Sequence, residues 1–243
     1  MSTEGHAIVV HGLTVQIVRK PIKNLHLGVY PPRGRVRVAV PMAVNDAAVR
    51  LAVIGKLGWV RRQQAKFAAQ TRQPRHEVVS GESHFVFGHR YRLRVVEHDR
   101  GPGHVVLRSR AFLELHARKG AARDARARVL QHWYRDRLRE LVQPILVKWE
   151  AVLGVHPRAW GIRRMKTRWG ACTVDARRLW FNLELAKKPV RCIEYLVVHE
   201  LMHLIERHHN ERFIALMDRH LPNWRASREV LNSAPLGHED WTY

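Results

Sequence analysis

The stretch of residues 189–204 constrains this chain most, because its pattern fits a buried helix. A proline at its start suits the first helical position. Its apolar residues recur at helical spacing: Ile193, Leu196, Val197, Leu201 and Leu204. Within it, His199 and His203 are one turn apart, so about 40° separates them around the helix axis. We therefore predict a buried helix with two imidazoles on one face and the carboxylate of Glu200 beside them.

Two imidazoles at this spacing can bind a single Zn²⁺, and the neighbouring glutamate can then meet a water on that ion. The chain has 17 histidines, so its own His and Glu frequencies give the His-Glu-x-x-His pattern a chance expectation of roughly one in fifteen. The apolar surroundings favour the metal interpretation, because a catalytic metal needs a controlled, partly dry environment. A core helix with two incidental histidines is the alternative.

A catalytic zinc needs a third protein ligand and one open position for water. Residues of a suitable type follow the motif: Glu206, His208, His209, His220 and His238. Three ligands along one straight helix converge poorly, whereas a ligand beyond the helix end can fold back. Residues 209–213 have the pattern of a new helix start, and His209 lies at that junction. We favour His209, then His208, which could equally be a solvated histidine at a helix end, and then Glu206.

These residues predict a hydrolytic reaction. Zn²⁺ lowers the pKa of its bound water from about 16 towards about 7. Glu200 is the expected general base, while the metal polarises a scissile carbonyl or phosphoryl oxygen. Mn²⁺ and Co²⁺ would fit the same ligands. The pattern therefore predicts a metal-dependent hydrolase whose substrate it does not define.

Four segments of the chain resemble the YgjP-like metallopeptidase family, which is related to the SprT-like and minigluzincin zinc hydrolases. Residues 199–213 match its His-Glu-Leu-x-His pattern, with a histidine six residues later and Phe after four more. Residues 168–172 read Arg-Trp-Gly-Ala-Cys, where the family has Arg-Trp-Gly-Ser-Cys. Residues 179–183 resemble its strand with Asn and Leu, and residues 221–225 its closing segment with Pro and an aromatic residue.

The resemblance implies a zincin-like core with His199, His203 and His209 as metal ligands and Glu200 as general base. The family carries a peptidase label, and nucleotide pyrophosphatase activity is also associated with it. Position 206 is not Gly, which argues against a metzincin despite the same histidine spacing. Three functions follow in order of preference: a zinc metallopeptidase, a metal-dependent nucleoside triphosphate pyrophosphatase, and a basic nucleic-acid-associated module with a structural metal.

The net charge of +22 predicts attraction to polyanions. Of the basic residues, 34 are arginines and 9 are lysines, and arginine suits bidentate phosphate contacts. A coding bias towards arginine is an equally good explanation, because the basic residues are spread along the chain. A peptide or a nucleotide is the expected substrate, nucleic acid is a possible partner from charge alone, and protein partners are undefined.

Composition also bears on the compartment. No apolar run approaches the roughly 18 residues of a membrane span, and the first residues lack the basic and apolar regions of a secretory signal. Two cysteines, Cys172 and Cys192, make no disulfide framework. We therefore expect a cytoplasmic protein without a membrane partner, in which thiols stay reduced. Cys172 could be a metal ligand, although small core packing is the commoner role.

The expected fold class is α+β, with a β-rich N-terminal domain over residues 1–117 and a small zincin-like domain over residues 118–243. Strand alternation runs through residues 8–40, with a turn at 31–34, and a helix is expected from Asn45 to about residue 70. Three further strands follow, near residues 85–87, 91–95 and 105–107.

The second expected domain begins with a helix over residues 121–153, which Pro144 should kink or divide. Its apolar side is predicted to consist of Val129, Trp133, Leu138, Leu141, Ile145 and Trp149. Strands are expected at 159–164, 168–173 and 179–185, before the predicted metal-binding helix of residues 189–204. We expect the strand at 179–185 to bind an extended substrate by β-augmentation. The aromatic tail, residues 235–243, is expected to pack against the protein.

Overall fold

The computed structural model describes residues 5–30, 34–69, 76–165 and 168–233. In these residues the chain is α+β, as predicted, with three small mixed sheets and six α-helices. Most of the predicted turn at 31–34 and the whole tail, including His238, lie outside the described residues. Contacts between residues divide the chain into two compact units, one within residues 1–73 and one within residues 74–239. The predicted boundary at 117–118 rests on composition and stays a prediction.

The first unit contains one four-stranded sheet and two helices. The strands are β1 (Gly5–Val10), β2 (Leu13–Lys20), β3 (His26–Tyr30) and β4 (Arg35–Pro41). They lie in the order β1-β2-β4-β3, with β2 and β4 parallel and the outer pairs antiparallel. In β4 the alternate residues Val36, Val38 and Val40 are fully buried. The predicted alternation therefore marks the core face of this sheet.

The helix predicted from Asn45 to about residue 70 is two helices, α1 (Asp46–Gly55) and α2 (Leu57–Ala69). Asn45 is the N-cap, because its side-chain oxygen accepts a hydrogen bond from the Ala48 N–H at 2.9 Å. At Lys56 the backbone leaves helical geometry, with φ −112° and ψ 11°. Gly55 precedes this break, and glycine weakens a helix because it loses the most backbone freedom on folding.

The second unit begins with a sheet of the same strand order as the first, β5-β6-β8-β7, again with a parallel central pair. Its strands are β5 (Ser83–Val86), β6 (His89–His98), β7 (His104–Leu107) and β8 (Phe112–Arg118). The third sheet is smaller, with the order β10-β11-β9. Its strands are β9 (Ala159–Arg163), β10 (Gly170–Thr173) and β11 (Arg178–Asn182). A 3₁₀ helix, Leu183–Lys187, then precedes the helix predicted over residues 189–204.

Helix α3 (Arg123–Leu153) runs through 31 residues, so Pro144 does not divide it. The proline removes a hydrogen bond to the carbonyl of Glu140, and Glu140 is exposed, so water can take the vacant acceptor. The buried residues of α3 are Leu130, Tyr134, Leu138, Val142, Leu146 and Trp149. The predicted apolar side was therefore partly wrong: its other members are half-buried and flank this row.

The last three helices are α4 (Val190–Met202), α5 (Glu211–His220) and α6 (Trp224–Ser233). Both α5 and α6 contact α4, which also contacts α3 and β10. Nine side chains of α4 are buried, as expected for a helix with apolar residues around most of its circumference. Among the helices of the described residues, none combines the length and the apolar character needed to cross a bilayer.

Candidate metal centre

Three histidines converge at the C-terminal end of α4. The ligand nitrogens of His199, His203 and His209 all lie within 4.8 Å of one another, and the Nε2 atoms of His199 and His209 are 3.0 Å apart. Ligands at 2.0–2.1 Å from a tetrahedral zinc are about 3.3–3.4 Å from each other. The three imidazoles therefore have a spacing that one metal ion can bridge.

The helix ends between the two histidines of the motif. Met202 is its last residue and His203 is the C-cap, still with right-handed helical dihedrals of φ −65° and ψ −15°. The His203 ring consequently stays on the same side as His199, with ring centroids 4.9 Å apart. Because the helix ends here, the chain can turn back at once and bring a third ligand to the same place.

Asn210 starts the next helix and thereby sets the position of His209. Its side-chain oxygen accepts a hydrogen bond from the Phe213 N–H at 3.0 Å, which is a helix N-cap. His209 is the residue directly before this cap, and its ring centroid lies 4.7 Å from that of His203. The local sequence signal for α5 thus also places the third imidazole.

Phe213 lies beneath all three imidazoles. Its ring centroid is 5.1 Å from that of His199, 4.9 Å from His203 and 4.8 Å from His209. The side chain is 2% exposed. A buried aromatic ring in this position excludes water from one side of the group and restricts the rotation of each imidazole.

Glu206 contributes a backbone atom to the centre. The Nδ1 atom of His203 lies 3.2 Å from the Glu206 carbonyl oxygen, so an Nδ1–H donates there and Nε2 keeps its lone pair for a metal. The Glu206 side chain accepts a hydrogen bond from the backbone N–H of His208 at 3.2 Å. In the described part of the chain, neither Glu206 nor His208 belongs to the converging set.

The three imidazoles are held in the neutral form that binds metals. Burial, together with the neighbouring His203 and His209, lowers the pKa of His199 to about 3. Burial also lowers the pKa of His203 and of His209. The Nδ1 atom of His199 is buried and has no hydrogen-bond partner among the described residues. The ring nitrogen of His199 that faces His209 is Nε2, and a neutral imidazole nitrogen in this position fits a divalent transition-metal ion.

Glu200 is the buried acid of the site. It is 4% exposed, and burial raises its pKa to about 8, although the charge of Arg168 opposes this shift. The first residue of β10, Gly170, packs directly against it: a β-carbon at position 170 would lie 2.5 Å from Glu200 Oε1. A carboxyl group with this pKa and fixed position is suited to accept and return a proton near neutral pH.

A family comparison agrees with this geometry. The model of the YgjP-like metallopeptidase domain matches residues 24–234. The chain belongs to the YgjP-like metallopeptidase family. Since the family name denotes a metallopeptidase, it implies a metal ion as cofactor. A comparison with curated proteins gave no significant match.

Asn182 forms hydrogen bonds to residues 165, 168 and 169, just before Gly170, in this YgjP-like domain. It is fully buried, and its amide nitrogen donates to the carbonyl oxygens of Met165 and Arg168, each at 2.8 Å. Its backbone N–H donates to the Trp169 carbonyl oxygen at 2.8 Å. The asparagine that the resemblance places in a strand therefore fixes residues 165, 168 and 169, which precede the strand beside Glu200.

Sequence reasoning missed three more residues near the metal centre. Tyr195, one turn before His199, has its ring centroid 5.7 Å from that imidazole and stacks on Trp224 at 6.0 Å. Arg228 of α6 is exposed, and its charge contributes to lowering the pKa of both His199 and His209. The spacing of Tyr195 from His199 could have indicated the first contact. Nothing in the sequence pattern indicates Arg228, because α6 reaches the site only through tertiary packing.

The expectation that residues 179–185 bind an extended substrate was wrong. Strand β11 is the central strand of its sheet, paired with β10 on one side and β9 on the other, and residues 183–187 form a 3₁₀ helix. A central strand has no free hydrogen-bonding edge. In the described part of the YgjP-like domain, β10 is the edge strand beside Glu200.

Cys172 lies on β10 and is half-buried, with a free thiol. Burial raises the pKa of this thiol to about 11, with a further contribution from the charge of Glu200. The protonated thiol packs against the core of the second unit. In the described residues Cys172 is not among the groups that converge as metal ligands.

Proposed function

We propose that this protein is a zinc-dependent metallopeptidase in which His199, His203 and His209 hold the ion and Glu200 is the general base. The observation that supports the proposal is the convergence of three neutral imidazoles within 4.8 Å, together with the buried carboxyl group of the residue that follows His199. On this proposal the second unit contains the zincin-like catalytic core, with α4 and the β9–β11 sheet as its central elements.

When bound, zinc supplies a Lewis acid that polarises the scissile carbonyl and acidifies water. Glu200, the buried carboxyl group next to His199 in the chain, would accept a proton from the attacking water and donate it to the leaving amine. Gly170 keeps the carboxylate in a fixed position, and Phe213 keeps the imidazoles in theirs. These are the tasks of the chain's own side chains in the reaction.

The position of β10 at the sheet edge favours a peptide as the substrate. Gly170 begins this strand and lies against Glu200, so a peptide paired along the free edge would pass close to the general base. Backbone hydrogen bonds along such an edge bind extended peptides with little dependence on their sequence. We therefore assign β10, rather than β11, to substrate binding.

A second candidate is hydrolysis of a nucleoside triphosphate. Its support is the positive charge at the site, where Arg168 acts on Glu200 and Arg228 acts on His199 and His209. Guanidinium groups at a metal centre suit the phosphate oxygens of a triphosphate. The third candidate, a nucleic-acid-associated module with a structural metal, rests on the net charge of +22.

The zinc-loaded protein should be tested on a peptide library and on a panel of nucleoside triphosphates. We expect peptide cleavage that a chelator abolishes and that Glu200→Gln reduces by at least about 100-fold, while the variant keeps its zinc. Glu211→Gln, which alters an exposed carboxylate in the first turn of α5, is the matched control with full activity.

The other outcomes assign the site differently. Triphosphate hydrolysis without peptide cleavage would replace the first candidate by the second. No hydrolysis of either class, with nucleic-acid binding unchanged in Glu200→Gln, would leave the third, because only a reaction needs that base.

A further inference from the structure

A second group of potential ligands lies in the second unit, on the segment before and within β5. The ligand atoms of His76, Glu82 and His84 all lie within 4.8 Å of one another. His84 is 4% exposed, and the other two side chains are half-buried. In the described residues this is the only other group, besides the three histidines, in which three such side chains converge.

The distances match those between ligands of a tetrahedral ion. His76 Nδ1 and His84 Nε2 each lie 3.3 Å from the same oxygen, Glu82 Oε2. The His84 contact also meets hydrogen-bond geometry, so this oxygen can accept from that ring when no ion is bound. Neighbouring ligands at 2.0–2.1 Å from a tetrahedral zinc are about 3.3–3.4 Å apart. Two ring nitrogens turned towards one oxygen at this separation fit a shared cation.

Hydrogen bonds and burial determine the position of Glu82 and the protonation states of Glu82 and His84. Glu82 accepts hydrogen bonds from the backbone N–H of Glu77 at 2.8 Å and of Val78 at 3.1 Å, which fix its carboxylate. Burial and, to a lesser extent, the neighbouring His76 lower the pKa of His84 to about 4, although Glu82 opposes this shift. Burial raises the pKa of Glu82, but the hydrogen bond from the Glu77 N–H, the charge of His76 and the hydrogen bond from His84 together lower it below its usual value. The set therefore consists of the carboxylate of Glu82, the neutral imidazole of His84 and the imidazole of His76. The ring centroids of His76 and His84 are 4.6 Å apart.

A cavity adjoins this group and leaves room for a fourth ligand. It has a volume of about 60 Å³, and its lining includes His76, His84, Tyr134, Glu184 and Lys187. One water needs roughly 10–15 Å³, so solvent can complete the coordination of an ion held by three side chains.

We propose that His76, Glu82 and His84 form a second metal site, which binds Zn²⁺ or a similar transition-metal ion and braces the β5–β6 hairpin. Two imidazoles favour such an ion over Mg²⁺ or Ca²⁺, which prefer oxygen ligands. The site does not depend on the activity of the three-histidine centre.

The proposed metal site would stabilise the β5–β6 hairpin, which contacts the start of α4. At the hairpin turn, the backbone N–H of Phe87 donates to the Ala186 carbonyl oxygen at 2.8 Å. A β-carbon on Gly88 would lie 3.0 Å from Pro189 Cγ, and Pro189 is the N-cap of α4. An ion that fixes residues 76–84 therefore stabilises the hairpin that contacts the beginning of the metal helix.

Elemental analysis of the zinc-saturated, desalted protein tests the proposal. We expect two zinc ions per chain in the wild type, one in His76→Ala and one in His199→Ala/His203→Ala. His84→Gln should give the same stoichiometry as His76→Ala. Combining His76→Ala with the two substitutions in α4 should leave none. Cobalt substitution should give two absorption bands in the visible region, one of which is lost with each site.

The matched control is His104→Ala/His116→Ala. These rings stack with centroids 4.3 Å apart, and His116 Nε2 lies 3.6 Å from Glu114 Oε2, yet these three do not form a converging group. This variant should keep two ions. One ion in the wild type that disappears in His199→Ala/His203→Ala overturns the second site. A single ion in the wild type that remains in His199→Ala/His203→Ala and is lost in His76→Ala supports the second site, even if the three-histidine centre binds no metal.

Discussion

Gly170 and Glu200 are in direct contact, and the contact depends on the absence of a side chain at position 170. A β-carbon there would lie 2.5 Å from Oε1 and 2.9 Å from Cγ and Cδ of Glu200. The carboxyl group is buried and cannot swing away into solvent. The first residue of the edge strand therefore determines where the candidate general base lies.

Replacing Gly170 by alanine should move this carboxyl group while leaving the histidines intact. A misplacement of about 1 Å costs about 100-fold in rate, so we expect kcat of Gly170→Ala to fall by about that factor with zinc content unchanged. Gly55→Ala is the control, because a β-carbon there meets nothing within 4 Å. Full activity in Gly170→Ala would show that Glu200 is not the base or that its position does not matter.

The stability of the metal-free protein should fall as the pH rises above about 6.5. Burial raises the pKa of Glu200 to about 8, against about 4.3 in an unfolded chain, so between these values the folded state binds a proton that the unfolded state lacks. The stability from this proton is present at low pH and is lost as the pH rises towards 8. The three histidines have lowered pKa values, so their opposite effect is complete above about pH 6.5.

Thermal unfolding of the chelated protein measures this dependence. Each pH unit in that window changes stability by up to about 1.4 kcal/mol, or about 3–6 °C in Tm for a chain of this size. Glu200→Gln has no titrating group at this position and should show a flatter profile. An unchanged slope in Glu200→Gln would assign the dependence to other residues.

Asn210→Ala should weaken metal binding as well as stability. It removes the N-cap of α5, a hydrogen bond of 3.0 Å to the Phe213 N–H, which costs about 0.5–2 kcal/mol. Because His209 directly precedes this cap, the third ligand loses its fixed position and the zinc Kd should rise by about tenfold. Asn45→Ala removes the equivalent 2.9 Å cap of α1 and should lower Tm without changing the Kd. Equal zinc affinity in the two variants would contradict the link.

Phe213→Ala should both destabilise the fold and loosen the metal centre. The ring is buried and contacts all three imidazoles, and removing such a ring costs about 3–5 kcal/mol. Phe213→Leu retains most of the apolar volume and should recover most of the stability. Its flexible side chain supports the rings less well, so we expect its zinc affinity to stay below that of the wild type. Chemical denaturation and zinc titration separate the two effects.

Much of the fold follows from patterns that span only a few residues. Alternation in residues 36–40 and apolar periodicity in residues 193–201 indicated the buried faces correctly, because both depend on local backbone geometry, whereas Leu204 lies beyond the helix end and is half-buried. The helix break at Lys56 and the continuity of α3 through Pro144 were not predicted. At both positions, contacts with the rest of the protein decide whether the helix continues through a residue that weakens it.

The sequence by itself determined that His199 and His203 lie together, since residues one helical turn apart share a face whatever surrounds them. It also indicated the helix start that positions His209. Only the tertiary structure decided that Gly170 packs on Glu200, that β10 rather than β11 is the edge strand, and that His76 meets Glu82 and His84. Those relationships join segments distant along the chain or in an irregular loop, where no periodic pattern links one residue to another.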